Sequence, residues 1–228
     1  MAFDPSKYTV AKARPLPVIL MLDRSSSMGG EKIVTLNKAV NEMIESFKTA
    51  GQGEVEISIA VISFGDGGAT YDIPLQSVKS IETVFGLNAN GMTPMGAALR
   101  MAKDLIEDKS VIPSKGYRPA VVLVSDGCPN DDWEGPMREF VGNGRSSKCE
   151  RFAMAIGTTE ADAVLNQFLS GTENKVFRAD QAAQIRDFFK FVTMSVSVRS
   201  QSQNPNALLP AAGPNSIDDL AREFGLLK

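Results

Sequence analysis

Three oxygen-bearing side chains alternate in one short stretch, Asp23-Arg-Ser25-Ser-Ser27. In a semi-extended loop such an alternation lets one carboxylate and two hydroxyls converge on a point. One acid with two neutral hydroxyls is a hard donor set, of the kind Mg²⁺ takes. The residues before it, Pro17-Val-Ile-Leu-Met-Leu, form an apolar run that reads as a buried strand, and a helix-like segment starts at Glu31. A strand feeding such a loop delivers side chains to the carboxyl edge of a sheet, where α/β proteins seat ligands. The plainer alternative is a helix start, with Ser27 capping and Asp23 merely ending the strand.

The chain has 228 residues, enough for one domain with a substantial core plus a tail. Its 43% hydrophobic and 22% charged residues are those of a soluble globular protein, and a net charge of −3 gives no basic footprint for nucleic acid or an anionic membrane. Met1 to Arg14 is polar and mixed, unlike a signal peptide, and no apolar run is long enough to span a bilayer. Two cysteines, Cys128 and Cys149, are too few for a secreted disulfide framework, so the expected location is cytoplasmic. Histidine is absent, which removes the common Ser-His-Asp and Cys-His arrangements and disfavours zinc.

The elements that must position these groups follow from periodicity. Residues 1–16 read as an irregular lead-in, 17–200 as the domain, and 201–228 as linker plus an amphipathic helix at Ser216 to Leu227, which either packs back or docks on a partner. Strands are expected at Val18–Asp23, Val55–Phe64, Tyr71–Val78 (an edge strand interrupted by Pro74), Pro119–Ser125, Glu150–Gly157 and Lys175–Arg178. Helices are expected at Glu31–Ala50, closed by Gly51, and at Ser80–Phe85, Met95–Glu107, Trp133–Val141, Glu160–Leu169 and Gln181–Ser197. Apolar strands alternating with helices argue a doubly wound α/β fold, a mostly parallel six-stranded sheet covered on both faces, with one antiparallel edge strand. Neither a P-loop nor a Gly-x-Gly-x-x-Gly turn is present.

In such a sheet the loops after the strands gather at one edge, and three carry oxygen side chains: Asp23/Ser25/Ser27, Thr93 and Asp126. Asp-x-Ser-x-Ser after the first strand, Gly-Met-Thr-Pro in the next loop and Ser-Asp-Gly after the fourth strand resemble the von Willebrand factor type A family over roughly Pro17 to Ser197. The resemblance implies a metal-ion-dependent adhesion site. Ser25, Ser27 and Thr93 would hold Mg²⁺ directly, with Mn²⁺ or Ca²⁺ as substitutes, and Asp23 and Asp126 would act largely through water. Mostly neutral direct ligands leave the dication its charge and a replaceable water, so that a partner's Asp or Glu can enter. It further implies that the Thr93 loop and the helix Gln181–Ser197 move together.

Each residue also has an ordinary reading: Thr93 as a turn hydroxyl, Asp126-Gly127 as a strand-ending turn, Met92 and Met95 as packing. Arg24 reads as a solvated loop charge or a rim charge favouring acidic partners. Asp131, Asp132 and Asp66 are outer charge or turn residues, and Cys128 a small packed thiol. The wording around the motifs is similar to the TerY-like proteins of bacterial tellurium-resistance and stress-response clusters, which implies a non-enzymatic scaffold beside a protein kinase and a PP2C-type phosphatase. The alternatives are a metal-activated hydrolase or phosphotransferase using the same carboxylates, and a metal-free scaffold.

Overall fold

In the computed structural model, residues 13–50, 55–202, 204 and 206 are described. Eleven main elements follow in order: β1 (Arg14–Asp23), α1 (Glu31–Ala50), β2 (Val55–Gly65), β3 (Gly68–Ser77), α2 (Met95–Glu107), β4 (Ala120–Ser125), α3 (Glu134–Gly142), β5 (Glu150–Ile156), α4 (Asp162–Leu169), β6 (Phe177–Ala179) and α5 (Ala182–Gln201). The sheet order is β3-β2-β1-β4-β5-β6. All neighbours pair in parallel except β2 with β3.

Burial explains why β1 reads as a continuous apolar run. Leu16, Val18, Leu20 and Leu22 join one core, with α1 and α5, while Ile19 and Met21 join the other, with α2, α3 and α4. Successive side chains of a strand point to opposite faces, so a strand covered on both sides needs apolar residues at every position. At the other extreme β3 is an edge strand and mostly solvent-facing. Its register against β2 shifts between the pairs Ile59–Gln76 and Val61–Ile73, which leaves Pro74 in the irregular stretch, where a missing N–H is tolerated.

Several boundaries differ from expectation. β1 begins at Arg14, because residues 14–16, taken above as lead-in, pair with 55–57 of β2. Pro15 and Pro17 share one parity, and pairing with β4 starts only at Val18, so this end of the strand behaves as an edge. No helix forms over Ser80–Phe85. A 3-10 turn covers Val78–Ser80 and the chain then runs without regular structure, with a bend at Thr83. Asn41 explains this, donating to Phe85 O at 2.8 Å and accepting from Phe85 N at 2.9 Å. Asn37 does the same for Leu87, at 2.9 Å in both directions. Two side-chain amides on α1 thus stand in for a sheet neighbour and satisfy backbone groups that a helix would have satisfied internally. At the C-terminal end, α5 runs to Gln201, a turn beyond expectation, and starts with a Gln181/Gln184 capping box. Gly51 and the helix expected at Ser216 to Leu227 lie outside the described residues.

The sheet order reverses at β1. From it the chain winds one way to β2 and the other way to β4, which opens a crevice at the carboxyl ends of these two strands. Asp23 ends β1 and Asp126 directly follows β4.

Candidate metal centre

At that crevice the loop after β1 makes a 3-10 turn, Ser26–Met28, before α1. Met28 anchors the turn in the core and Ser27 stands outside. Neither Ser25 nor Ser27 caps α1 or the 3-10 turn with its side chain; their hydroxyls instead face each other at 3.0 Å. Ser27 Oγ donates to Asp126 Oδ1 at 2.7 Å. Ser25 is 2% exposed, and its backbone N–H donates to Asp23 Oδ1 at 2.7 Å. Four of the five candidate residues therefore form one connected polar cluster drawn from two loops.

Thr93 arrives by a different route. It is 8% exposed, and its loop is tied to the first by Ser26 N–H to Gly91 O and Gly91 N–H to Ser26 Oγ, both 3.0 Å. From the far side Asn130 Oδ1 accepts from Thr93 N–H at 3.1 Å and Asn130 N–H donates to Thr93 O at 3.2 Å. The loop carrying Thr93 is thus clamped between the β1 and β4 loops by its backbone, which leaves its hydroxyl outside the hydrogen-bonded cluster. Gly91 lets the same loop lie against the turn between β2 and β3. It has φ +82°, and a Cβ there would lie 2.4 Å from the Asp66 backbone nitrogen.

Asp23 is fully buried and accepts a second hydrogen bond, 2.5 Å, from Ser125 Oγ. Among the described residues it has no ion pair, and burial pushes its carboxyl above the ordinary value. The bonds from Ser125 and Ser25 pull the other way, and the charge of Asp126 adds to the rise. Asp126, by contrast, pairs with Lys32, whose Nζ lies 2.6 Å from Oδ2.

A hard dication suits this set. The donors are hydroxyl and carboxylate oxygens with no thiolate or imidazole, and a buried carboxylate lacks a compensating charge. Among the described residues no group of three or more carboxylates, thiols or imidazoles is placed to hold a metal, so any ion here would rest on the hydroxyls as much as on acid.

Other candidates turn out to have structural tasks. Arg24 is half-buried and not a free charge: Nε donates to Ser63 Oγ at 3.2 Å and Nη2 to Asp66 O at 2.9 Å, stapling the β1 loop to β2 and the turn after it. Asp66 accepts from Asn90 Nδ2 at 3.2 Å. The Asp131 carboxylate receives Gly96 N–H at 3.0 Å and Ala97 N–H at 2.9 Å, capping the start of α2. Asp132 is exposed. Met95 is fully buried as expected, but Met92 is 66% exposed beside the buried Thr93. Cys128 is an exposed thiol, not a packed one, with Sγ 3.1 Å from Glu160 O.

Sequence reasoning missed Ser125, Asn130 and Lys32. Ser125 and Asn130 both lie in Val-Ser-Asp-Gly-Cys-Pro-Asn-Asp, where a hydroxyl beside one acid and an amide four residues on were available signals. Nothing in the spacing links Lys32 to Asp126, 94 residues away.

A family model, the von Willebrand factor type A domain, matches residues 18–191. The chain belongs to the von Willebrand factor type A family. Members of this family mediate protein–protein interactions, commonly in a metal-dependent way. Among curated proteins it is similar to inter-alpha-trypsin inhibitor heavy chain H4 of Bos taurus, 25% identical over 78% of this chain and 20% of that protein. Matrilin-3 of Gallus gallus is 24% identical over 68% of this chain and 34% of its own length. The chain thus spans between a fifth and about a third of these relatives. Similar solved structures include a von Willebrand factor type A protein from Catenulispora acidiphila, with TM-score 0.60 and 19% identity over 80% of this chain and 42% of that one. Another is proximal thread matrix protein 1 from the mussel byssus, solved with a zinc-occupied metal-ion-dependent adhesion site. It has TM-score 0.57 and 17% identity over 80% of this chain and 48% of that one. At such identities these structures establish the shared fold. Among the described residues no helix is long and apolar enough to cross a membrane.

Proposed function

We propose that this type A domain is a non-enzymatic, Mg²⁺-dependent protein-interaction module that captures a partner's Asp or Glu. Ser25, Ser27 and Thr93 would hold the ion, with Asp23 and Asp126 acting through water, and Mn²⁺ or Ca²⁺ could substitute. The observation that carries this reading is the Ser25–Ser27–Asp126 hydroxyl–carboxylate cluster beside a buried Asp23 that has no ion pair among the described residues. When bound, the metal supplies a Lewis-acidic positive charge that a carboxylate can meet. The chain's residues fix the hydroxyls, keep Asp23 dry and clamp the Thr93 loop at the same edge.

The setting we favour is a cytoplasmic, bacterial-type stress-response complex of the tellurium-resistance kind, with a protein kinase and a PP2C-type phosphatase as candidate partners. Supporting it are the wording of the three motifs and two cysteines that are both free thiols. Turnover by the same carboxylates has no observation in its favour, since the chain carries no histidine and no phosphate-cradling loop.

A pull-down from lysate with and without EDTA, comparing the wild-type chain with Ser25→Ala/Ser27→Ala, tests the proposal. Partners lost in both conditions support ion-bridged capture. Partners retained in both contradict it.

A further inference from the structure

We infer that Lys32 is a built-in second cation of the metal centre, one that lowers affinity for the ion and raises affinity for the incoming carboxylate. This rests on the reading of Ser25, Ser27, Thr93, Asp23 and Asp126 as the metal site.

The geometry separates the two faces of Asp126. Its Oδ1 takes the Ser27 hydroxyl at 2.7 Å, on the side of the candidate ligands, while its Oδ2 takes Lys32 Nζ at 2.6 Å. The ammonium therefore sits behind the carboxylate, outside the Ser25–Ser27 pair, and also donates to Ser27 O at 3.3 Å. The Asp126 side chain is 1% exposed and that of Lys32 35%, so this contact is shielded on the acid's side. Gly157, which follows β5, lies beside the lysine stem. With φ +69° it is a glycine by conformation, and a Cβ at this position would lie 3.4 Å from Lys32 Cε. A cavity of about 400 Å³ lies alongside, lined by Lys32, Gly157 and the first residues of α5. Glu31 and Asp180 line it too, but among the described residues Lys32 makes its ion pair with Asp126 alone.

Charge counting gives the consequence. Asp23 and Asp126 with Lys32 leave the centre one net negative charge, so a bound dication turns it positive by one. Without Lys32 the loaded centre would be neutral, and the attraction it offers a partner carboxylate would drop. A cation a few ångströms away costs a dication affinity and returns that cost as attraction for an anion. The two effects of removing Lys32 thus carry opposite signs, whereas loss of a merely structural contact would weaken both bindings together.

The test uses the full chain, Mn²⁺ as the metal and acetate as the carboxylate probe, both read by water-proton relaxation. Lys32→Met should bind Mn²⁺ roughly tenfold more tightly, and the loaded variant should bind acetate more weakly by a similar factor. Lys32→Arg, which keeps the charge, should stay near wild type in both. Weakening of both bindings in Lys32→Met, or no change in either, would overturn the inference while leaving the metal reading intact. A wild-type chain that binds no Mn²⁺ even with acetate present would overturn the metal reading and the inference with it. Ser25→Ala/Ser27→Ala serves as the control that shows where the Mn²⁺ sits.

Discussion

The two edges of the sheet each bury a carboxylate, and they treat it differently. At the amino edge Glu150, 5% exposed at the start of β5, receives Arg199 Nη1 of α5 at 2.5 Å. That guanidinium also donates to Arg118 O at 2.6 Å. At the carboxyl edge Asp23, wholly buried, has among the described residues only hydroxyl and backbone N–H donors. Burial raises the carboxyl of both; Arg199 pulls that of Glu150 back down with a full charge, while Ser125 and Ser25 pull on Asp23 with dipoles alone. A buried acid matched by its own cation is part of the framework. One left short of positive charge is what the proposed metal centre would satisfy from outside.

This contrast can be broken from either edge. The largest expected effect is Arg199→Met, which strands Glu150 and should cost about 3–5 kcal/mol in urea unfolding. The folded fraction of that variant should still bind Mg²⁺, since the site lies at the opposite edge. Next, Mg²⁺ at about a hundred times its Kd should stabilise the wild-type chain by about 2.7 kcal/mol, and Ser25→Ala/Ser27→Ala should show no such gain. Smaller still, Asp23→Asn removes a buried charge without orphaning a cation. In EDTA its stability should lie within about 1 kcal/mol of wild type, while Mg²⁺ no longer stabilises it. An Asp23→Asn variant as damaged as Arg199→Met would show that the two acids play the same structural part.

The smallest effect sharpens the same comparison with thiols. Burial pushes Cys149, at the amino edge, up to about 12, so at pH 8 it stays protonated as well as covered. Cys128, exposed beyond Asp126, should take one equivalent of iodoacetamide in the native protein. The second equivalent should enter only on unfolding, because the raised value removes thiolate at every pH below it.

Much of this was legible in the chain itself. The expected bounds of α1 and α2 match those observed, because long amphipathic segments carry their own periodicity. β1, β2 and β4 were equally visible as doubly buried apolar runs. The segment after Val78 was not, because its non-helical path is held by Asn37 and Asn41 of α1, some forty to fifty residues earlier in the chain. Around the candidate site, the alternation Asp23-x-Ser25-x-Ser27 announced locally a cluster of oxygen side chains that the fold does bring together. Asn130 and Lys32 act only through contacts that folding creates, and Arg24 and Asp131, read as possible functional charges, are spent on loop and helix ends.

Anomalous scattering from a crystal of the full chain grown with Mn²⁺ and acetate addresses the central claim most directly. The account predicts one peak about 2.0–2.2 Å from the hydroxyl oxygens of Ser25, Ser27 and Thr93, with an acetate oxygen completing the shell. A peak at another place on the molecule, or none at this edge with the hydroxyls still bonded to one another and to Asp126, would contradict it.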